Sequence, residues 1–147
     1  MARVDYFGIE AAIQDILQAD ANLSGVQVLV EPAMVHQEGD VVAIYVDRRS
    51  APADLQTISA GTRTRFLVSF SLWCYHMNLD VPTALQKRDD LMGKVEVALM
   101  AVNRNLNSTV NMSWLEGGEF LNGQSENNDI FMAGGEIQLI ADVTATT

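Results

Sequence analysis

The first periodic stretch of the chain runs from Asp5 to Asp20. Ile9, Ile13, Ile16 and Leu17 recur at i, i+4, i+7 and i+8, while Glu10, Gln14 and Gln18 are turned away. That spacing predicts one apolar face of an amphipathic helix, with Asp5 placed to cap its start. Asn22, Ser24 and Gly25 supply a turn. Two strand patterns follow. Val26, Val28 and Val30 alternate with Gln27 and Glu31 until Pro32 interrupts them, and Val41 to Val46 is a short, nearly continuous apolar run rich in β-branched residues. Glu38-Gly39-Asp40 lies between the two and predicts a hairpin-like pairing. From Asp47 to Thr64 no period is visible, and the stretch reads as a long loop or an extended hairpin arm.

The strongest strand pattern is Arg65 to His76. Phe66, Val68, Phe70, Leu72 and Cys74 share one wholly apolar face, which should lie against helices. Leu67, Ser69, Ser71, Trp73 and Tyr75 make a mixed face, suited to partial solvation or to another subunit. Pro82 to Asn105 reads as a second helix, with Asp80 as its cap and Leu85, Met92, Val95, Leu99, Val102 and Leu106 on one stripe. Thr109 to Trp114 reads as a strand. Leu115 to Asp129, with Gly117-Gly118 and Asn122-Gly123, reads as a second long loop. Ile130 to Thr144 reads as a strand pair or one bent strand, with a turn or bulge at Gly134-Gly135. No repeat or linker interrupts residues 1–147, so a single domain is expected. Its class is α+β: a mostly antiparallel sheet with two helices packed on one face.

Composition narrows the function classes. Hydrophobic residues make up 48% of the 147 residues, enough for a packed core. The formal net charge is −10, which disfavours a sequence-independent nucleic-acid binder. No apolar run approaches the ~18–20 residues of a membrane span, and no signal-peptide pattern opens the chain. A soluble protein made in the cytosol is expected. Cys74 and His76 fall on one strand face, but a metal needs three or four convergent ligands. They read as a core cysteine and a strand-end histidine. Asp89 and Asp90 point ~100° apart on a helix and cannot work as an acid/base pair. The glycine pairs lack the residues of a phosphate loop. No catalytic, cofactor-binding or metal-ligating residue is assigned.

Charge distribution is the more informative signal. Arg48, Arg49, Arg63 and Arg65 flank one long loop against Asp54 alone, a local net charge of +3. From Asn105 onward the chain carries Glu116, Glu119, Glu126, Asp129, Glu136 and Asp142 and no cation. Patches of opposite sign can pair one subunit with the next, head to tail, and such contacts close into a ring where the rotation allows; the alternative is two solvated loops. Arg48, Arg49, Arg63, Arg65, Glu116, Glu119, Glu126 and Asp129 are therefore candidate subunit or tube contacts. Trp73 joins them as a candidate interface anchor; Trp73 and Trp114 both suit either an interface or a core role on their strands.

An amphipathic helix leading into Ala19-Asp20-Ala21-Asn22-Leu23-Ser24-Gly25-Val26 begins a recognisable order. A valine strand and Glu31-Pro32 follow, then the strand Phe66 to Trp73, then Ala84-Leu85 and Arg88-Asp89-Asp90-Leu91 on a long helix. An acidic, glycine-bearing loop and a final strand close the chain. This order resembles the tail terminator (tail-completion) proteins of long-tailed bacteriophages over nearly the whole length. The resemblance implies a structural virion protein with helices packed on a sheet. Its partners would be itself, as a six-subunit ring, the tail tube protein and the head connector. It would end tube polymerisation, and DNA would pass through the lumen without being read. An acidic lumen suits that passage. Another neck or head-completion protein, or a small ligand- or peptide-binding module using the face around Trp73 and Tyr75, remain the alternatives.

Overall fold

The computed structural model describes residues 3–33, 39–53, 64–101, 104–124 and 130–145. Two α-helices and six strands follow the order α1 (Tyr6–Ala19), β1 (Gln27–Val30), β2 (Gly39–Ser50), β3 (Thr64–Asn78), α2 (Val81–Ala101), β4 (Met112–Glu116), β5 (Phe120–Gln124), β6 (Phe131–Ala145). A short 3-10 turn, Ala21–Leu23, joins α1 to β1. The strands form one mixed, mostly antiparallel sheet in the order β1-β2-β3-β6-β4, with β5 also paired to β6. Both helices pack on the same face, so the expected α+β class is observed.

The caps fall where the sequence places them. Asp5 accepts from the Gly8 N–H at 3.0 Å and starts α1. Asp80 accepts from the Thr83 N–H at 3.2 Å and starts α2. Ile9, Ile13, Ile16 and Leu17 of α1 meet Leu91, Val95 and Leu99 of α2 in the core. The sheet contributes Val42, Ile44, Val68, Phe70, Leu72, Cys74, Ile137, Leu139, Ala141 and Val143 to the same core. These are alternate positions of β2, β3 and β6, as the pleat requires. The face predicted from Phe66 to Cys74 is thus the helix-covered one.

Four expectations are corrected. β1 and β2 do not make a hairpin but pair in parallel, Val28 opposite Val42 and Val30 opposite Ile44. Alternating valines serve either direction, and direction is set by the connection. β1 is only four residues long, about 13 Å at the usual rise, which the intervening eight residues can retrace. Gly39, at φ +91°, opens β2 rather than turning a hairpin. Asp47–Ser50 is not loop: β2 continues to Ser50 against β3, with a bulge between Val46 and Arg48. Its arm-like character survives in that pairing; residues 54–63 lie outside the described residues.

Within the second expected loop, Phe120–Gln124 forms β5 on β6. β4 and β5 run in the same direction along one edge of β6, broken at Gly117-Gly118-Glu119. Gly118 is required there, because a Cβ would lie 2.1 Å from the Glu136 carbonyl oxygen. Finally, Ile130 to Thr144 holds no turn. β6 is one strand of 15 residues, and Gly134 and Gly135 serve close packing instead. A Cβ on Gly134 would stand 2.7 Å from the Leu121 carbonyl oxygen, and one on Gly135 would meet Met92.

Candidate functional site

The mixed face of β3 lies opposite the helices, and no helix among the described residues covers it. Register assigns its occupants. On β3 they are Arg65, Leu67, Ser69, Ser71, Trp73 and Tyr75, flanked on β6 by Thr144, Asp142, Ile140, Gln138, Glu136 and Gly134. β4 adds Met112, Trp114 and Glu116. The β2 bulge decides what that strand adds. Beyond it Arg48 stands opposite Ser69, on the uncovered face, and Arg49 opposite Val68, on the helix face. Neighbours in sequence, the two arginines serve different layers.

Arg49 is engaged within the chain. Its Nη1 donates to the Tyr6 hydroxyl at 2.7 Å, and its guanidinium lies 4.9 Å from the Phe66 ring centre. The hydrogen bond ties the end of β2 to the first turn of α1, and the cation–π contact ties it to β3. Arg65 is engaged too. Its Nε donates to Asp142 Oδ1 at 3.2 Å, and its Nη2 pairs with the other carboxylate oxygen. That fork is a bidentate guanidinium–carboxylate pair. The guanidinium, first by hydrogen bonding, holds the Asp142 carboxyl below the usual range, helped by Asn111 against the opposing effect of burial. The basic and acidic segments expected to meet between subunits therefore already meet here, between β3 and β6 of one chain.

Arg48 differs. It is exposed, and no hydrogen bond or ion pair engages it among the described residues. It forms one rim of a groove of about 320 Å³, whose lining includes Leu67, Ser69, Ile140, Trp114 and Glu116. Trp114 Nε1 donates to Glu116 Oε1 at 3.4 Å across the far rim. In the floor, Ser69 is 6% exposed and its hydroxyl has no hydrogen-bond partner among the described residues. A buried unsatisfied hydroxyl is uncommon and calls for an explanation.

The remaining candidates are dispersed. Glu119 sits at the break between β4 and β5, where its backbone N–H reaches Glu136 Oε1 at 3.3 Å and its carbonyl accepts from Glu136 N at 2.8 Å. Trp73 stacks on Tyr75, with ring centres 5.9 Å apart, further along the uncovered face and outside the groove. Arg63, Glu126 and Asp129 lie outside the described residues. Sequence reasoning placed Leu67 and Ser69 on the mixed face of β3 and weighed Trp114 as an anchor, but it missed Ile140 and could not join these residues into one groove, because the groove is assembled across four strands.

The cysteine–histidine strand carries no site among the described residues. Cys74 is buried and burial pushes its thiol well up. His76 Nδ1 bonds Asp40 Oδ1 at 2.6 Å. No group of three or more metal-ligating side chains forms among the described residues, and no helix there is long and apolar enough to cross a membrane. A second polar feature corrects the expectation that Glu10 is turned away from the apolar face of α1. Glu10, on α1, is 3% exposed beside Glu31. Glu31 adopts φ +49°, and its Oε1 accepts from the Val46 N–H at 2.9 Å. Burial, then a hydrogen bond to Glu31 and its charge, push the Glu10 carboxyl up to about 8.

No protein-family model and no curated protein matches the sequence. Among solved structures, the sheath/tube terminator of the extracellular contractile injection system PVC, in its extended state, is similar over 99% of this chain. The TM-score is 0.54 at 12% sequence identity. This chain spans 58% of the length of that one. A chain from the virion of a native gene transfer agent particle matches over 90% of this chain and 93% of its own length, with 14% identity and a TM-score of 0.38. At such identities what is shared with the terminator is the fold.

Proposed function

We propose that this chain is a structural component of a phage-tail-type assembly and acts as its tail terminator. On this reading several copies form a ring that caps the tail tube, ends its polymerisation and presents the surface that joins the head connector. The observation that carries the reading is the fold shared with a sheath/tube terminator across 99% of the chain. The acidic balance of −10 supports a lumen through which DNA passes without being held. A six-subunit ring, a location in the virion after synthesis in the host cytoplasm, and a single domain over 1–147 belong to the same proposal. The candidate contacts are Arg48, Glu116 and Glu119, together with Arg63, Glu126 and Asp129. Arg49, Arg65 and Trp73 remain candidates as well; like Glu116, they also have intramolecular partners.

Native mass across protein concentration and salt, combined with negative-stain images and added tail tubes, tests the proposal. The expected result is a ring with an open centre, or a cap on tube ends that stops further growth. A chain that stays monomeric alone and ignores tubes overturns it. The groove would then favour the second reading, a small peptide-binding module.

A further inference from the structure

We propose that the groove between Arg48 and Trp114 receives the edge segment Glu119-Phe120-Leu121 of a second copy of this chain. This deepens the assembly reading above and names the contact it would use. The groove lacks one kind of group. Arg48 is an exposed cation without a partner among the described residues, and the Ser69 hydroxyl beneath it is buried and unpartnered. Both can donate, so a carboxylate lying over them would satisfy both. Glu116, on the other rim, does not fill that role, because its carboxylate takes the Trp114 indole N–H. Between the rims, Leu67, Ile140 and the Trp114 ring offer apolar surface.

The occupant must therefore present a free carboxylate next to apolar side chains on extended chain. Among the acidic residues after Asn105, Asp142 is committed to Arg65, Glu136 to Ser71 and Glu116 to Trp114. Glu119 is exposed and its carboxylate is unengaged among the described residues. It is followed directly by Phe120 and Leu121, which are 64% and 52% exposed. These three residues lie on an edge whose outer side pairs with no strand among those described. A free edge carrying exposed apolar side chains is a surface that proteins ordinarily cover. Charge complementarity selects the same chain as the partner: one face carries the spare donor pair and the other the spare carboxylate.

The test is a charge swap read by sedimentation over a range of concentrations. Arg48→Glu and Glu119→Arg should each weaken self-association about tenfold or more, since each replaces attraction by repulsion. The double variant Arg48→Glu/Glu119→Arg should restore it. Ser69→Ala should weaken association while leaving the melting temperature unchanged or higher, because it deletes a buried unsatisfied hydroxyl. Near-UV circular dichroism reports that each variant is folded. Association indifferent to both single reversals overturns the groove assignment, and so does a double variant no better than the singles. Rings that still form in those variants leave the terminator reading standing. Dimers that obey the swap but never close into rings or cap tubes overturn the terminator reading and keep the groove. A wild-type chain that is monomeric at every concentration, with and without tubes, overturns both.

Discussion

Replacing Glu10 by Gln should stabilise the protein, and by an amount that grows with pH. Glu10 points from α1 into the junction with β1 and β2, where Glu31 already serves as the carboxylate acceptor for the Val46 N–H. Burial first, then the hydrogen bond to Glu31 and its charge, disfavour the ionised form and push the Glu10 carboxyl up to about 8 from an ordinary value of 4.5. The unfolded chain releases that proton above about 4.5. Folding thus takes up a proton between the two values, and the folded state loses stability as pH rises through that window. At 1.36 kcal/mol per unit, the loss is ~3 kcal/mol at pH 7 and on the order of 5 kcal/mol above pH 8.

Gln carries the neutral form permanently. Its amide N–H can donate to the Glu31 carboxylate, so that contact survives without a second negative charge. The Glu10→Gln variant should match the wild type near pH 4 and gain ~3 kcal/mol at pH 7, or roughly 6–12 °C in melting temperature for a chain of this size. Urea unfolding of both proteins from pH 4 to 9 measures the difference, in which groups not coupled to Glu10 cancel and the joint titration of Glu10 and Glu31 remains. A difference curve that stays flat between pH 4.5 and 8 would refute the reasoning, as would a variant less stable than wild type at pH 8.

Further outcomes follow from the sheet. Gly118→Ala drives a Cβ into the Glu136 carbonyl and should cost about 1–3 kcal/mol; hydrogen exchange should show the loss concentrated in β4 and β5. Asp142→Asn removes the carboxylate that Arg65 grips. The stability this pair adds is present above the ordinary carboxylate range and falls away in acid. The variant should therefore melt lower at neutral pH and converge with wild type at low pH, as thermal scans at the two pH values will show. Cys74, buried and with its thiol pushed up, should resist a thiol reagent in the native protein and react once unfolded; rapid native labelling would contradict its placement.

What was legible in the sequence was whatever repeats at a fixed period within one element. Ile9 to Leu17 and Phe66 to Cys74 each state their own geometry, and Asp5 and Asp80 mark helix starts by local chemistry. What was not legible depends on pairing between distant segments. The valines of β1 read the same in either strand direction. Phe120–Gln124 has no alternation, because its place is set by backbone bonds to β6. Gly134 and Gly135 looked like a turn because close packing against Tyr75, Leu121 and Met92 leaves the same glycine signature. The charge count found Arg48 and Glu116 but could not say that they flank one groove, nor that Arg65 and Asp142 already pair.

The bulge between Val46 and Arg48 explains why one arginine is left over. In an unbroken register Asp47 would follow Val46 onto the uncovered face opposite Ser69, and Arg48 would turn toward the helices. That arrangement would place a carboxylate beside the hydroxyl and deprive Tyr6 and Phe66 of the Arg49 cap. The extra residue re-aims both arginines at once. Arg49 then closes the helix layer through Tyr6 and Phe66, while Arg48 is delivered to the bare face with no ion pair among the described residues. Bulges serve this purpose near functional surfaces, and here a single inserted residue separates the arginine that holds the fold together from the one left available to a partner.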